Sequence, residues 1–214
     1  MKVVEIFNSI EGEGKRAGIP CTFIRFYGCN LNCTYCDSRY ACDNDEYTVM
    51  SISEILDTVS NMSCKNITIT GGEPLLTPGV YELIRQLMIR GYEINVETNG
   101  TIDPEFRTCT DLLFYTVDYK TNASGMSSKM NDTVFEHLSS NDVLKFVVGS
   151  TADLDQALEV VEKFNPKAQI YVSPVFGQIE AKEIVDYLKW HHLWDWKVQL
   201  QLHKYIWDPD QKGV

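Results

Sequence analysis

A chain of 214 residues can build one sizeable hydrophobic core but hardly two, so a single domain spanning 1–214 is expected. Its 44% hydrophobic and 23% charged residues are ordinary globular composition, and no apolar run approaches the roughly 20 residues needed to span a bilayer, which excludes a membrane partner. A formal net charge of -11, with the 19 Lys and Arg scattered, repels polyanions and excludes nucleic acid as an expected partner.

The first residues, MKVVEIFNSIEGEG, lack the apolar stretch and cleavage site of a signal peptide, so a cytoplasmic location with seven reduced cysteines is expected. Residues 2–7 (KVVEIF) and 21–27 (CTFIRFY) read as strands, joined by the glycine-rich charged turn EGEGKRAGIP. Arg25 stands mid-strand, where a charge needs either a carboxylate partner or an anionic ligand.

The stretch Cys29 to Cys36, CNLNCTYC, then sets three thiols at Cys-x3-Cys-x2-Cys spacing. Three thiols so close in a reduced chain suit a soft metal. An iron-sulfur cluster is one reading; a zinc site completed by Cys42 or Cys21, or a set of structural cysteines, are the others. Ser38 offers a hard oxygen beside them. Cys21, Cys64 and Cys109 have no ligand spacing and read as core or incidental.

Beyond the loop, helices and strands alternate. A helix over 50–62 with Ser51 as N-cap precedes strand 66–70, the turn GGEP and a helix over 77–90. Strands at 92–97, 111–117, 143–148 and 168–173 follow, with helices at about 130–139, 151–164 and 179–190 and a last strand over 197–203. The indole-rich WHHLWDW (190–196) reads as core or subunit contact.

Six barrel-like strands between residues 21 and 173 are too few for a closed eight-fold barrel. The expected fold is α/β: a partial, open TIM-like barrel of about six parallel strands with an N-terminal strand extension. In such folds chemistry sits at the carboxyl ends of strands, and the cysteines, GGEP, ETNG, DYK and SPVF all fall there. Gly71 and Gly72 admit a close backbone approach to a ligand, and Glu73 can accept from an ammonium. Glu97 ends its strand as a carboxylate that a simple Asn-Gly turn does not require.

The cysteine spacing followed by GGEP resembles the radical S-adenosylmethionine (SAM) superfamily. More narrowly, residues 6–38 with TGGEP, VETNGT, DYK and QLHKYIWDP resemble the 7-carboxy-7-deazaguanine synthases over residues 2–209. The resemblance implies a radical SAM core with a [4Fe-4S] cluster on Cys29, Cys33 and Cys36 and one iron left for SAM. It implies a lyase that contracts the ring of 6-carboxy-5,6,7,8-tetrahydropterin with loss of ammonia, toward queuosine or other 7-deazapurines. Mg2+ on Ser38, a flavodoxin-type electron donor and a homodimer are implied with it.

By the same resemblance SAM meets Tyr35, Cys36, Asp37, Gly72, Glu73, Asp118, Tyr119, Lys120, Ser173, Pro174, Val175 and Phe176. The pterin meets Ile10, Glu11, Gly12, Arg25, Thr70, Glu97, His203 and Pro209. Family members often carry Gln for Glu11, Thr for Ser38 and Ser-Pro-Lys for Asp118–Lys120. A glycyl-radical activating enzyme and a non-catalytic zinc module are the alternative functions.

Overall fold

Period-two alternation along each strand sorts side chains onto two faces in the computed structural model, which describes residues 1–104, 110–208 and 211–214. Strands β1 (Lys2–Ile10) and β2 (Pro20–Phe26) pair antiparallel, with Phe7 stacked on Phe23 at 5.1 Å and Glu5 opposite Arg25. A short helix α1 (Tyr40–Asp43) leads to β3 (Thr48–Val49), which pairs with β1. Then come α2 (Ile52–Asn61), β4 (Asn66–Gly71), α3 (Val80–Ile89), β5 (Glu93–Thr98), β6 (Leu113–Tyr119) and α4 (Asp132–Glu136). The chain continues through β7 (Val143–Val148), α5 (Thr151–Phe164), β8 (Gln169–Pro174), α6 (Ala181–Trp190), β9 (Lys197–Val198) and α7 (His203–Ile206).

The sheet order is β3-β1-β2-β4-β5-β6-β7-β8-β9, and every pairing from β2 to β9 is parallel. It is the open, unclosed α/β sheet expected, with β1 as the N-terminal extension. One face carries Ile24, Phe26, Ile67, Ile69, Ile94, Val96, Leu144 and Phe146, all fully buried beneath Ile55, Val59, Leu83, Ile84, Leu87, Leu154 and Ile184 of the helices. Each such side chain contributes about 1.5–3 kcal/mol by leaving water. The intervening residues Arg25, Thr70, Glu97, Thr116 and Lys145 converge on one pocket, so the sheet curls around that side.

Helix α2 starts as its sequence predicts: Ser51 Oγ accepts from the Glu54 amide and the Glu54 carboxylate accepts from the Ser51 amide. The end of the chain departs from the expected strand over 197–203. Only Lys197–Val198 pair, and His203 opens α7. Helix α3 starts at Val80 rather than 77, because Pro74–Leu76 form a separate 3-10 turn and Gly79 bends the chain at φ +86°. Trp196 stacks on Phe146 at 6.2 Å, whereas Trp190 and Trp194 are exposed. Cys21 is buried and Cys64 half-buried, as read; Cys109 lies outside the described residues.

The EGEGKRAG turn closes the far end of the curled sheet. Arg16 is buried there, its Nη2 donating to Glu11 Oε1 (2.9 Å), the Ile67 carbonyl (3.0 Å) and Thr68 Oγ1 (3.1 Å). Its Nη1 reaches the Glu93 carbonyl at 3.0 Å. Lys15 Nζ lies 3.8 Å from the Phe114 ring centroid. What the sequence presents as a glycine-rich charged turn is a polar plug against β4, β5 and β6, with Gly12 and Glu13 bordering the pocket.

Candidate functional site

Gly28, at φ +100°, turns the chain out of β2 into the cysteine loop. With no regular structure from Cys29 to Cys36, the loop is held by its neighbours. The Gly28 amide donates to the Ala41 carbonyl (2.9 Å), the Gly28 carbonyl accepts from the Glu73 amide (2.8 Å), and Thr34 Oγ1 donates to the Ala123 carbonyl (2.6 Å). Cys29, Cys33 and Cys36 carry free thiols and border one pocket of ≈ 340 Å³.

Cys29 Sγ accepts from the Leu31 amide (3.4 Å) and Asn99 Nδ2 (3.6 Å). Burial pushes the Cys33 and Cys36 thiols up, so they stay protonated until a metal's charge displaces the proton. Among the described residues no three His, Cys, Asp or Glu side chains converge on one ion; the three thiols stand around a common space instead. Three soft donors beside a pocket, with amides aimed at one sulfur, fit a cluster that leaves an iron open.

Gly72 explains why the GGEP turn carries glycine. A Cβ there would stand 2.8 Å from Cys29 Cβ and closer still to the Gly28 carbonyl. Gly72→Ala is expected to displace the loop at a cost of about 1–3 kcal/mol. The check is iron retained per chain after anaerobic reconstitution, which should fall at unchanged far-ultraviolet circular dichroism.

The pocket's walls come from alternate residues of adjacent strands. Arg25 Nε donates to Glu5 Oε1 (2.7 Å), which also accepts from Tyr40 Oη (2.7 Å), and Arg25 Nη1 is 3.5 Å from Ser38 Oγ. The carboxylate partner read as one option for Arg25 is therefore present, and the guanidinium still borders the pocket. Lys145 lies 2.9 Å from Glu13 and 3.4 Å from Asp118, and Lys120 lies 2.8 Å from Asp118. Burial alone would depress the Lys145 ammonium, yet Glu13, Asp118 and Glu97 hold its pKa well above the usual lysine value.

Burial lifts the Glu97 carboxyl from 4.5 to about 7; Lys145 opposes the rise and Glu11 and Glu13 add to it. Because the folded pKa exceeds the unfolded one, the stability tied to this proton is complete below about pH 4.5 and lost as pH rises through about 7. Glu73, also lifted to about 7 by burial, titrates in the same window. Glu97→Gln should therefore reduce, without abolishing, the fall in melting temperature between pH 4.5 and 7, and an unchanged slope would contradict this assignment.

Several expected site residues sit elsewhere. Glu11 turns away from the pocket, binding Arg16, Thr68 Oγ1 and Asn95 Nδ2 (3.3 Å), because the buried guanidinium needs a counter-charge. Glu73 does not offer its side chain to an ammonium. Its carboxylate accepts from the Leu75 amide (3.0 Å), the Asn99 amide (2.7 Å) and Thr98 Oγ1 (2.8 Å), locking GGEP to the end of β5. Tyr119 faces the helix side and packs on Phe135 at 5.0 Å, since it alternates with Asp118 and Lys120. Ser173 and Pro174 are buried short of the pocket's border, which Val175 and Phe176 reach. Pro209 lies outside the described residues.

The remaining expected residues, Ile10, Gly12, Tyr35, Asp37, Ser38, Thr70, Glu97 and His203, all border the pocket. The His203 ring occupies the space a Cβ on Gly12 would fill. Lys204, which the pattern leaves equally open to a surface or a site reading, borders it too, and sequence reasoning missed Glu13, Lys145, Gln201 and residues 211–214, which also do. Lys145 carried the signal that singled out Arg25, a charge inside an apolar strand, here VLKFVV.

A family profile described as the Radical SAM superfamily matches residues 23–120. A 7-carboxy-7-deazaguanine synthase of Clostridium acetobutylicum is 44% identical over 218 residues, spanning 100% of this chain and 99% of that protein. One from Methanospirillum hungatei is 39% identical, over 98% of this chain and 86% of its own. The crystal structure of QueE from Escherichia coli shares the fold with a TM-score of 0.76 at 21% identity, over 93% of this chain and 92% of that one. Streptococcus suis SuiB bound to S-adenosylmethionine matches at a TM-score of 0.56 and 11% identity, over 83% of this chain and 46% of its own.

Proposed function

The chain belongs to the 7-carboxy-7-deazaguanine synthases of the radical SAM superfamily, and from that premise we propose that it converts 6-carboxy-5,6,7,8-tetrahydropterin to 7-carboxy-7-deazaguanine with loss of ammonia. The enzyme is a radical SAM lyase. The observation that carries the reading is that the three-thiol loop and the strand-end residues Arg25, Thr70 and Glu97 border one pocket. Full-length likeness to these synthases leaves a glycyl-radical activating enzyme or a zinc module without support.

The chemistry supplied when a [4Fe-4S] cluster and SAM are bound is one-electron cleavage of the sulfonium to a carbon-centred radical. Cys29, Cys33 and Cys36 would hold the cluster by three irons. Tyr35, Asp37, Gly72, Asp118, Lys120, Val175 and Phe176 would flank SAM, Gly72 by its backbone. Ile10, Gly12, Arg25, Thr70, Glu97 and His203 would face the pterin.

Arg25, its Nε spent on Glu5 and its Nη1 3.5 Å from Ser38 Oγ, presents its guanidinium edge to the pocket for the substrate carboxylate. Glu97, poised near neutrality, can hold or release a proton beside the ring. The tail 211–214 and Phe176 line the pocket's edge and would limit water. Ser38, whose Oγ donates to Asp37 Oδ1 at 3.0 Å and which borders the pocket, would offer a hard oxygen to Mg2+ there.

We further read the 214 residues as one cytoplasmic domain, reduced by a flavodoxin-type donor and without a nucleic-acid partner, given one continuous sheet and the net charge of -11. Among the described residues no helix is long and apolar enough to cross a membrane. The exposed Trp190, Trp194 and Ile206 support a homodimer, which a monomeric mass in solution would refute. The deciding test of function is anaerobic incubation of reconstituted protein with the tetrahydropterin, SAM and a reductant. Mass-detected 7-carboxy-7-deazaguanine is expected, and its absence rejects the reading.

A further inference from the structure

Lys145 has no part in the site as its sequence was read, yet it occupies the middle of the pocket's charge network. Its ammonium donates to Glu13 Oε2 at 2.9 Å and stands 3.4 Å from Asp118 Oδ2, an oxygen that Lys120 Nζ approaches at 2.8 Å. The other oxygen of each carboxylate, Glu13 Oε1 and Asp118 Oδ1, is buried with no hydrogen-bond partner among the described residues. All three side chains border the pocket. A buried carboxylate oxygen without a donor is costly, and two of them on side chains that line one cavity are explained if bound molecules bring the donors.

The two carboxylates neighbour residues assigned to different ligands. Glu13 follows Gly12, assigned to the pterin, and Asp118, itself assigned to SAM, lies two residues before Lys120. We propose that Lys145 is a positioning residue that holds one oxygen of Glu13 and, together with Lys120, one oxygen of Asp118, and thereby orients the free oxygen of Glu13 for a donor of the pterin and that of Asp118 for a donor of SAM. One ammonium then links the two subsites. This inference rests on the functional assignment and adds to it a residue that touches neither substrate.

The test uses cluster-reconstituted Lys145→Met and Lys145→Arg proteins. Fluorescence titration with 6-carboxypterin and equilibrium dialysis with SAM read binding without turnover. Lys145→Met should weaken both about tenfold or more, raising both KM values with a smaller change in kcat, and Lys145→Arg should recover most of the loss. In a Glu13→Gln background, Lys145→Met should add little to the 6-carboxypterin defect while still weakening SAM. If Lys145→Met does not fold, Lys145→Gln, which keeps a donor and loses the charge, carries the same measurements.

Unchanged binding of both probes, or a loss confined to kcat or to melting temperature, overturns the proposal. Failure of the function itself looks different: wild-type protein would then bind the probes and form no deazaguanine, and the role of Lys145 would be decided by the binding data alone.

Discussion

Cys29→Ser is expected to give a folded protein that makes no detectable 7-carboxy-7-deazaguanine. Serine keeps the shape of the side chain but replaces a soft, polarisable thiolate by a hard hydroxyl that iron holds poorly. Removing even an outer-shell partner of a metal ligand costs about 10–100-fold, so losing a ligand outright should exceed about 100-fold in turnover. Cys29 has a further role, since its sulfur accepts from Leu31 and Asn99, and serine would shorten and redirect both contacts. Iron content and the broad visible absorption of the reconstituted protein should fall with activity. Cys64→Ser is the control, because Cys64 lies outside the pocket and bonds to the Pro20 and Asn66 carbonyls, and it should keep full iron and turnover.

Arg16→Met is expected to produce the largest loss of stability. It leaves Glu11 buried at 1% exposure with its counter-charge gone and two carbonyls without their donor. Breaking a buried pair from one side costs about 3–5 kcal/mol. At this chain length that corresponds to a melting temperature lower by roughly 10 °C, read by calorimetry on the cluster-free protein. The double variant Glu11→Gln with Arg16→Met should recover part of the loss, because no charge is then stranded. Equal melting temperatures for wild type and Arg16→Met would show that the plug carries no weight. The same segment presents Gly12 and Glu13 to the pocket, so loosening it should also raise KM for the pterin.

Much of this was legible in the residues. The strand-helix alternation gave the open parallel sheet, because each buried strand carries its β-branched residues in a short run between turn signals. Helix α5 and strand β7 have the limits their pattern predicts, Thr151–Phe164 and Val143–Val148. The strand-end rule located Thr70, Glu97, Asp118 and the cysteine loop at one pocket.

What stayed hidden was which way particular side chains turn. Tyr119 and Asp118 are neighbours in a motif but sit on opposite faces of β6, which only the pleat decides. Glu11 and Glu13 look equivalent in EGEG, yet one neutralises Arg16 inside the plug and the other enters the pocket, a choice set with the help of Thr68, Asn95 and Lys145, all more than 50 residues away in sequence. His203 was placed at the end of a strand because KVQLQLH alternates, whereas packing against Gly12 puts it at the start of a short helix.

The most direct test is the low-temperature electron paramagnetic resonance spectrum of the reduced, reconstituted protein recorded without and with SAM. A [4Fe-4S] signal whose g-values shift on adding SAM is the expected result, since one iron is left for the sulfonium compound to bind. A signal indifferent to SAM, or a protein that takes up one zinc and no iron, would contradict it.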